Sequence, residues 1–134
     1  MRDLTELDPT ALQDVSGRVE TIVTQADTAQ SLGSGDVPVL GTPRVLALAE
    51  AAIVMSLTRR IPTTMTTVGT RVRLRHLAAV PLGRMVAARA RLRGRDGNKL
   101  TFDISLVDGD NNLVADGEIE RALVDRADFL TRLD

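Results

Sequence analysis

The sequence predicts an α+β domain in which a five-stranded antiparallel sheet wraps around one long buried helix. Two observations predict this class. One stretch is apolar on every side of a helix, and the sequence after Pro62 alternates apolar and polar residues with a period of two. The chain has 134 residues, enough for one domain, so we expect a single domain over residues 1–134 with a lead-in segment at residues 1–16.

The N-terminal third predicts a lead-in, one strand and a loop. Asp8 is the N-cap candidate of a short helical or irregular segment that ends at Gly17. Residues 18–24 are rich in β-branched side chains and predict the first strand. Residues 25–40 contain several turn formers and predict a loop, a kind of segment that often borders functional sites.

The buried helix is predicted from Pro43 to Arg60. Thr42 is a preferred N-cap type, and Pro62 stops the helical pattern. Glu50 is the single charged residue inside a run built from Ala, Val, Leu, Ile and Met. A helix that is apolar all round is expected to be buried.

Four antiparallel strands are predicted after Pro62. Alternation turns one set of residues toward the helix: Val68, Thr70, Val72, Leu74, His76 and Ala78; then Val86, Ala88, Ala90 and Leu92; then Leu100, Phe102, Ile104 and Leu106; and last Leu113, Ala115, Gly117 and Ile119. The final stretch, Asp125 to Leu133, predicts a short helix or a frayed tail. A single sheet leaves strand edges unpaired and part of the helix uncovered, so we expect a homodimer, with a tetramer left open.

Composition argues against several classes of function. Without cysteine there is no disulfide, thiolate nucleophile or cysteine-ligated metal, and no His or carboxylate cluster has metal-ligand spacing, so we expect no metal. A net charge of −1 and only two aromatic residues, both Phe, argue against nucleic-acid and anionic-membrane partners. The N-terminus lacks the apolar run of a secretory signal and no stretch is long enough to span a membrane, so we expect a cytoplasmic protein.

Three polar residues break the apolar pattern and are candidates for chemistry. Glu50 lies inside the apolar helix, where a carboxylate needs a partner or a raised pKa. His76, the only histidine, is predicted to face the helix. Thr42 places a hydroxyl at the positive end of the helix, where an oxyanion would be stabilised. The alternatives are a glutamate bonded across a dimer interface, a satisfied core histidine and a simple helix cap.

Two further residues are candidates for substrate binding. Arg121 falls on the inward register, where it needs either a structural partner or a substrate. Gly69 lies inside a strand, which suggests a bulge or the close approach of a ligand. The outward-facing arginines could bind phosphate, but alternating carboxylates on neighbouring strands favour a solvated network of ion pairs. These arginines are Arg71, Arg73, Arg75, Arg89, Arg91 and Arg93.

The order and spacing of these segments resemble the hotdog thioesterases, most closely the fluoroacetyl-CoA thioesterase-like branch. The resemblance covers about Gly17 to Leu133 and is carried by three segments: residues 39–52, which read VLGTPRVLALAEAA; TVGT at 67–70 leading to LRHLA at 74–78; and GEIERA at 117–122. It implies a hotdog fold and a dimer with sites at the subunit interface. It also implies hydrolysis of an acyl-CoA thioester by Thr42, Glu50 and His76, with Gly69 near the reacting carbonyl.

The resemblance leaves the acyl group and one alternative function open. The loop at Gly33–Asp36 has no aromatic side chain to cover the acyl group, so we expect a short or medium acyl chain other than fluoroacetyl. Coenzyme A would be part of the substrate, and no separate cofactor is expected. The alternative is a non-catalytic protein that binds acyl-CoA or a small acid in the same pocket. A hotdog hydratase is disfavoured because the segment of His76 lacks an aspartate partner.

Overall fold

The computed structural model describes residues 9–133, so the expected cap Asp8 lies outside the described residues. The strands are Ser16–Ile22 (β1), Met65–His76 (β2), Met85–Asp96 (β3), Lys99–Asp108 (β4) and Leu113–Asp125 (β5). The helices are Ala29–Leu32 (α1), Thr42–Leu57 (α2) and Arg126–Thr131 (α3), and single 3-10 turns form at Pro9–Leu12 and Gln25–Asp27. The predicted order of one strand, a helix and four strands is confirmed.

The five strands form one antiparallel sheet in the order β1-β3-β4-β5-β2. The β3–β4 hairpin turns at Gly97, whose φ of 61° lies in the left-handed region that favours glycine. Among residues 9–133, β1 and β2 form the two edges, so both present backbone groups that pair with no further strand of the described chain. The predicted fold class is therefore confirmed.

α2 packs across the β1–β3 side of the sheet, where its buried residues join the apolar face of the strands. Gly17 permits this close contact, because a Cβ there would lie 2.8 Å from the backbone nitrogen of Ser56 in α2. The prediction that Gly17 ends a lead-in was wrong, since β1 begins at Ser16. The contact leaves the β5–β2 side of the inner face less covered.

α2 is shorter than the predicted helix from Pro43 to Arg60. It ends at Leu57, where the N–H of Thr58 turns back to the carbonyl of Met55, and Arg59 takes a positive φ of 66°. A residue in that conformation cannot continue a right-handed helix. Arg59 and Arg60, which fall inside the predicted helix, therefore lie beyond the end of α2.

The predicted loop at 25–40 contains local structure. Gln25–Asp27 forms a 3-10 turn and α1 follows, capped by the Thr28 hydroxyl, which accepts from the N–H of Ser31. The C-terminal end of the 25–40 segment is held against the connection between β2 and β3, since the N–H of Leu40 donates to the carbonyl of Val80 at 2.9 Å. These short elements depend on capping hydrogen bonds and lack an apolar periodicity, so the sequence pattern did not predict them.

Asp27 ties this segment to the start of α2. One carboxylate oxygen accepts from the Arg44 Nε at 2.8 Å, and the other accepts from the backbone and hydroxyl of Thr24 at 2.7 and 2.9 Å. Burial alone would raise the pKa of Asp27, but the hydrogen bonds from Thr24 and Arg44 outweigh it and lower the pKa below its usual range. Asp27 therefore favours the ionised form that holds the helix start in place.

A β-bulge in β2 changes which residues face the helix. Gly69 pairs with Arg121 but Arg71 pairs with Glu120, so Thr70 is an extra residue in β2. Before the bulge the inward residues include Met65 and Thr67, and after it the predicted alternation holds. The assignments of Val68 and Thr70 to the inner face were therefore wrong.

Two further assignments to the inner face were also wrong. Ala78 follows the end of β2 and is exposed. Leu113 is 45% exposed because the β4–β5 register shifts between Leu106 and Val107. Val114 is buried beside it.

One strip of α2 remains open to solvent although its residues are apolar. Its exposed members are Pro43, Ala47, Ala51, Val54 and Met55. Val72 of the edge strand β2 faces the same side and is 43% exposed. Among residues 9–133, no helix combines the length and apolar character needed to cross a bilayer.

Candidate active site

Thr42 is the first residue of α2 and its hydroxyl contacts His76. Gly41 occupies the N-cap position in an extended conformation, so the prediction that Thr42 caps the helix was wrong. Thr42 Oγ1 lies 2.8 Å from His76 Nδ1, a hydrogen bond between the start of the helix and the end of β2. This bond fixes the orientation of the imidazole ring.

The other ring nitrogen of His76 is buried and unsatisfied. Nε2 is out of contact with solvent and has no hydrogen-bond partner among residues 9–133. A buried polar atom without a partner costs free energy, on the order of 1–3 kcal/mol. The arrangement therefore has the capacity to bind one more polar group at Nε2.

Glu50 and Arg121 form an ion pair at the other end of the inner face. Arg121 Nη1 donates to Glu50 Oε2 at 2.8 Å, and the two side chains are 8% and 34% exposed, respectively. Arg121 is held further by Thr67, whose hydroxyl and carbonyl oxygens accept from Nε and Nη2, both at 2.9 Å. Burial lowers the pKa of Arg121, and the neighbouring charge of Glu50 works against that shift.

Gly69 provides the space for this ion pair. A Cβ at this position would lie 2.8 Å from Glu50 Oε2 and 3.4 Å from Arg121 Nη1. The bulge that follows Gly69 keeps it opposite Arg121 on the inner face. Its close approach is therefore to a carboxylate of the same chain.

The five candidate residues thus form two separate groups in one chain. Thr42 and His76 make up the first, and Glu50, Gly69 and Arg121 the second. Within the described residues no hydrogen bond joins Glu50 to His76. Thr42 and Glu50 are eight residues apart on one helix, a rise of about 12 Å.

Thr67 belongs to the second group and was not singled out from the sequence. Regular alternation from Val72 back through the strand places it on the outer face, whereas the bulge turns it inward. The available signal was the glycine inside a strand, which suggested the bulge but not its effect on Thr67.

The outer face of the sheet carries the predicted network of ion pairs. Arg75 makes two bonds to Asp116, at 2.9 and 2.7 Å, and Arg93 contacts both Asp103 and Glu118. Arg73 also contacts Glu118. These exposed pairs support the solvated network rather than a phosphate site along these strands.

Comparisons with known proteins identify relatives over most of the chain. The sequence profile of the family described as fluoroacetyl-CoA-specific thioesterase (FlK) matches residues 23–127. No curated protein matches the sequence. Solved structures with the same fold include FlK itself, at 24% identity and a TM-score of 0.81, covering 99% of this chain and 95% of that one.

Two more solved structures share the fold. A Thermus thermophilus protein described as a thioesterase superfamily member is 23% identical with a TM-score of 0.82, covering 90% of this chain and 88% of that one. A hot-dog-like protein from Thermanaerovibrio acidaminovorans is also 23% identical with a TM-score of 0.82, covering 98% and 95%. The hotdog fold expected from the sequence is confirmed.

Proposed function

Because the chain belongs to the fluoroacetyl-CoA-specific thioesterase family, we propose that it hydrolyses an acyl-CoA thioester with a short or medium acyl chain. The observation that carries the proposal is the carboxylate of Glu50. It lies in the apolar middle of α2, at the open side of the sheet, against a buried guanidinium. FlK mutants have been described in complex with acetyl-CoA and with fluoroacetate and CoA.

The proposed enzyme is a homodimer formed through the edge of β2. Within the described part of the chain no strand pairs with this edge, and Val72 on its inner face is exposed next to the apolar strip of α2. A second copy would pair with the edge and cover the strip with its own α2. The edge at β1 is a weaker candidate, because α2 already covers its inner face at Gly17.

Two-fold symmetry would unite the two groups of residues. In an antiparallel pair of identical strands, residues equally far from the axis face each other. An axis between Val72 and Arg73 places Gly69 opposite His76 of the partner subunit. The Glu50 group of one subunit would then adjoin the Thr42 and His76 group of the other, twice per dimer.

The proposed reaction assigns a role to each group. Glu50 attacks the thioester carbonyl, forming an anhydride that water then hydrolyses, or it activates a water molecule that attacks the carbonyl. Backbone N–H groups at the start of α2, including that of Thr42, would stabilise the oxyanion. When the Thr42 hydroxyl donates to Nδ1, the proton of His76 resides on Nε2. From there it can pass to the leaving thiolate as the C–S bond breaks. Arg121 would hold Glu50 in the orientation that the attack requires.

Release of free thiol from a panel of acyl-CoA esters tests the proposal. We expect turnover of short or medium chains and a fall of at least about 100-fold in kcat/KM for Glu50→Gln, the usual size of a lost acid or base. Glu20→Gln, an exposed glutamate of β1, is the matched control and should keep full activity. Circular dichroism would verify that both variants fold.

Full activity of Glu50→Gln would remove Glu50 from the mechanism. Binding of CoA esters by the native protein without turnover would favour the non-catalytic alternative. The panel includes fluoroacetyl-CoA, for which we expect little turnover. No aromatic side chain is present at Gly33–Asp36 to recognise its acyl group.

A further inference from the structure

A groove of about 260 Å³ lies between the end of α2 and the start of β2. Its apolar lining comes from Val54, Leu57, Ile61 and Met65. Apart from Pro62, the remaining lining is hydroxyl-bearing or basic, and it includes no carboxylate among the described residues. The groove therefore suits a ligand with an apolar or amide-containing chain and a negatively charged end.

The groove begins at the Glu50 group. Thr67 lines it and also holds Arg121, the partner of Glu50, through two hydrogen bonds. Val54, another lining residue, lies one helical turn beyond Glu50 on α2. A ligand in the groove would thus have one end beside the carboxylate.

Two arginines line the groove beyond α2. Arg59, two residues past the end of α2, is exposed and has no hydrogen bond or ion pair among residues 9–133. Arg126 is held in place, because its Nε and Nη2 donate to the carbonyls of Thr63 and Met65, both at 3.3 Å. On the sheet, Arg73, Arg75 and Arg93 pair with carboxylates, whereas Arg71, Arg89 and Arg91 form no ion pair among residues 9–133.

The charges at this end favour an anion. The C-terminus of α2 contributes a partial negative charge of about half a unit, which two full guanidinium charges exceed. The Asp125 carboxylate, near in sequence, accepts from the N–H of Asp128 at the start of α3. Neither Asp125 nor Asp128 lines the groove.

The length of the groove fits a specific ligand. α2 continues for seven residues after Glu50, to Leu57, a rise of about 10 Å, and Arg59 lies two residues further on. The pantetheine arm of CoA is as long as roughly four extended peptide residues, about 14 Å. A thioester at Glu50 would therefore place the CoA pyrophosphate near the two arginines.

We propose that this groove binds the pantetheine arm of the substrate and that Arg59 and Arg126 bind the pyrophosphate of CoA. The inference rests on the proposed thioesterase function and extends it to recognition of the carrier. It also implies that the acyl group points away from the groove, toward the partner subunit.

The experiment compares two substrates that share an acyl group. One is the acyl-CoA, and the other is its N-acetylcysteamine thioester, which has no phosphate. For Arg59→Gln we expect KM for the acyl-CoA to rise about tenfold and kinetics with the small thioester to stay within about twofold. Arg126→Gln should show the same rise in KM for the acyl-CoA. Arg89→Gln, on the outer face of the sheet, is the matched control, and its KM should be unchanged for both thioesters.

An unchanged KM for acyl-CoA in Arg59→Gln and Arg126→Gln would overturn the inference, as would an equal rise for both substrates. Arg59 makes no bond within the described chain, so its variant should fold even if that of Arg126 does not. Calorimetric titration measures the binding of CoA and of pantetheine without turnover, and each variant should weaken only the binding of CoA. Failure of the thioesterase proposal, seen as no hydrolysis of either substrate, is thus distinguishable from failure of the phosphate site.

Discussion

Gly69→Ala should impair the proposed site while leaving the fold intact. The new Cβ would lie 2.8 Å from Glu50 Oε2, and ordinary contact begins near 3.4 Å, so the carboxylate must retreat by about 0.6 Å. That movement stretches the 2.8 Å bond to Arg121 toward the limit of hydrogen bonding. A charge-assisted hydrogen bond contributes about 1.5–3 kcal/mol, which corresponds to roughly 10–100-fold in kcat/KM.

The stability of the same variant should fall by less than the lost hydrogen bond alone would cost. The atom in the way is the end of a flexible side chain, and alanine restricts the unfolded chain more than glycine, which returns about 0.4–1 kcal/mol. We expect the free energy of unfolding to fall by no more than about 2–3 kcal/mol, measured by urea denaturation.

Thiol release provides the activity measurement for Gly69→Ala. Gly94→Ala is the matched control, because a Cβ at Gly94 has no atom within 4 Å. It should preserve both stability and activity. Native kcat/KM in a folded Gly69→Ala protein would refute the reasoning, since it would mean that the position of Glu50 is irrelevant to turnover.

Two further predictions concern subunit assembly and acid stability. Mixing Glu50→Gln with His76→Ala protein in equal amounts and allowing subunits to exchange should restore about a quarter of native activity, because half the dimers then contain one intact site; no recovery would place both residues in one subunit's site. Asp27→Asn should lower stability at pH 7 by about 1–3 kcal/mol, since hydrogen bonds from Thr24 and Arg44 to a charged acceptor are lost. Because folding lowers the pKa of Asp27, its contribution is present above the unfolded pKa near 3.9 and lost as pH falls through the folded pKa, so the two melting temperatures should converge below about pH 4.

Much of the fold could be predicted because its signals are local and repeated. The apolar run of α2 and the alternation in β3 and β4 persist over many residues, so errors at single positions do not alter the result. The ends of α2 were less predictable. Its last turn depends on the positive φ of Arg59, which a sequence of good helix formers does not reveal.

The candidate site was predictable as a set of residues but not as an arrangement. Glu50 and His76 stand out because a charge and an imidazole interrupt apolar patterns. Their immediate partners depend on details of register. The extra residue Thr70 decides that Thr67 faces inward and supports Arg121, and a one-residue shift cannot be read from alternation alone.

The separation of the two groups follows from the geometry of a single hotdog subunit. Thr42 lies at the start of α2 and Glu50 about 12 Å further along it, while the matching residues of β2, His76 and Gly69, lie at opposite ends of the strand's exposed stretch. Helix and strand are each too rigid to bring the groups together within one chain. In the proposed dimer, an antiparallel pair of β2 edges would supply the missing proximity, because it would set one end of the strand against the other. In the proposed dimer, formation of the interface and assembly of the site would therefore be one event, and the members of the apolar strip other than Val54 would contribute to activity without touching the substrate.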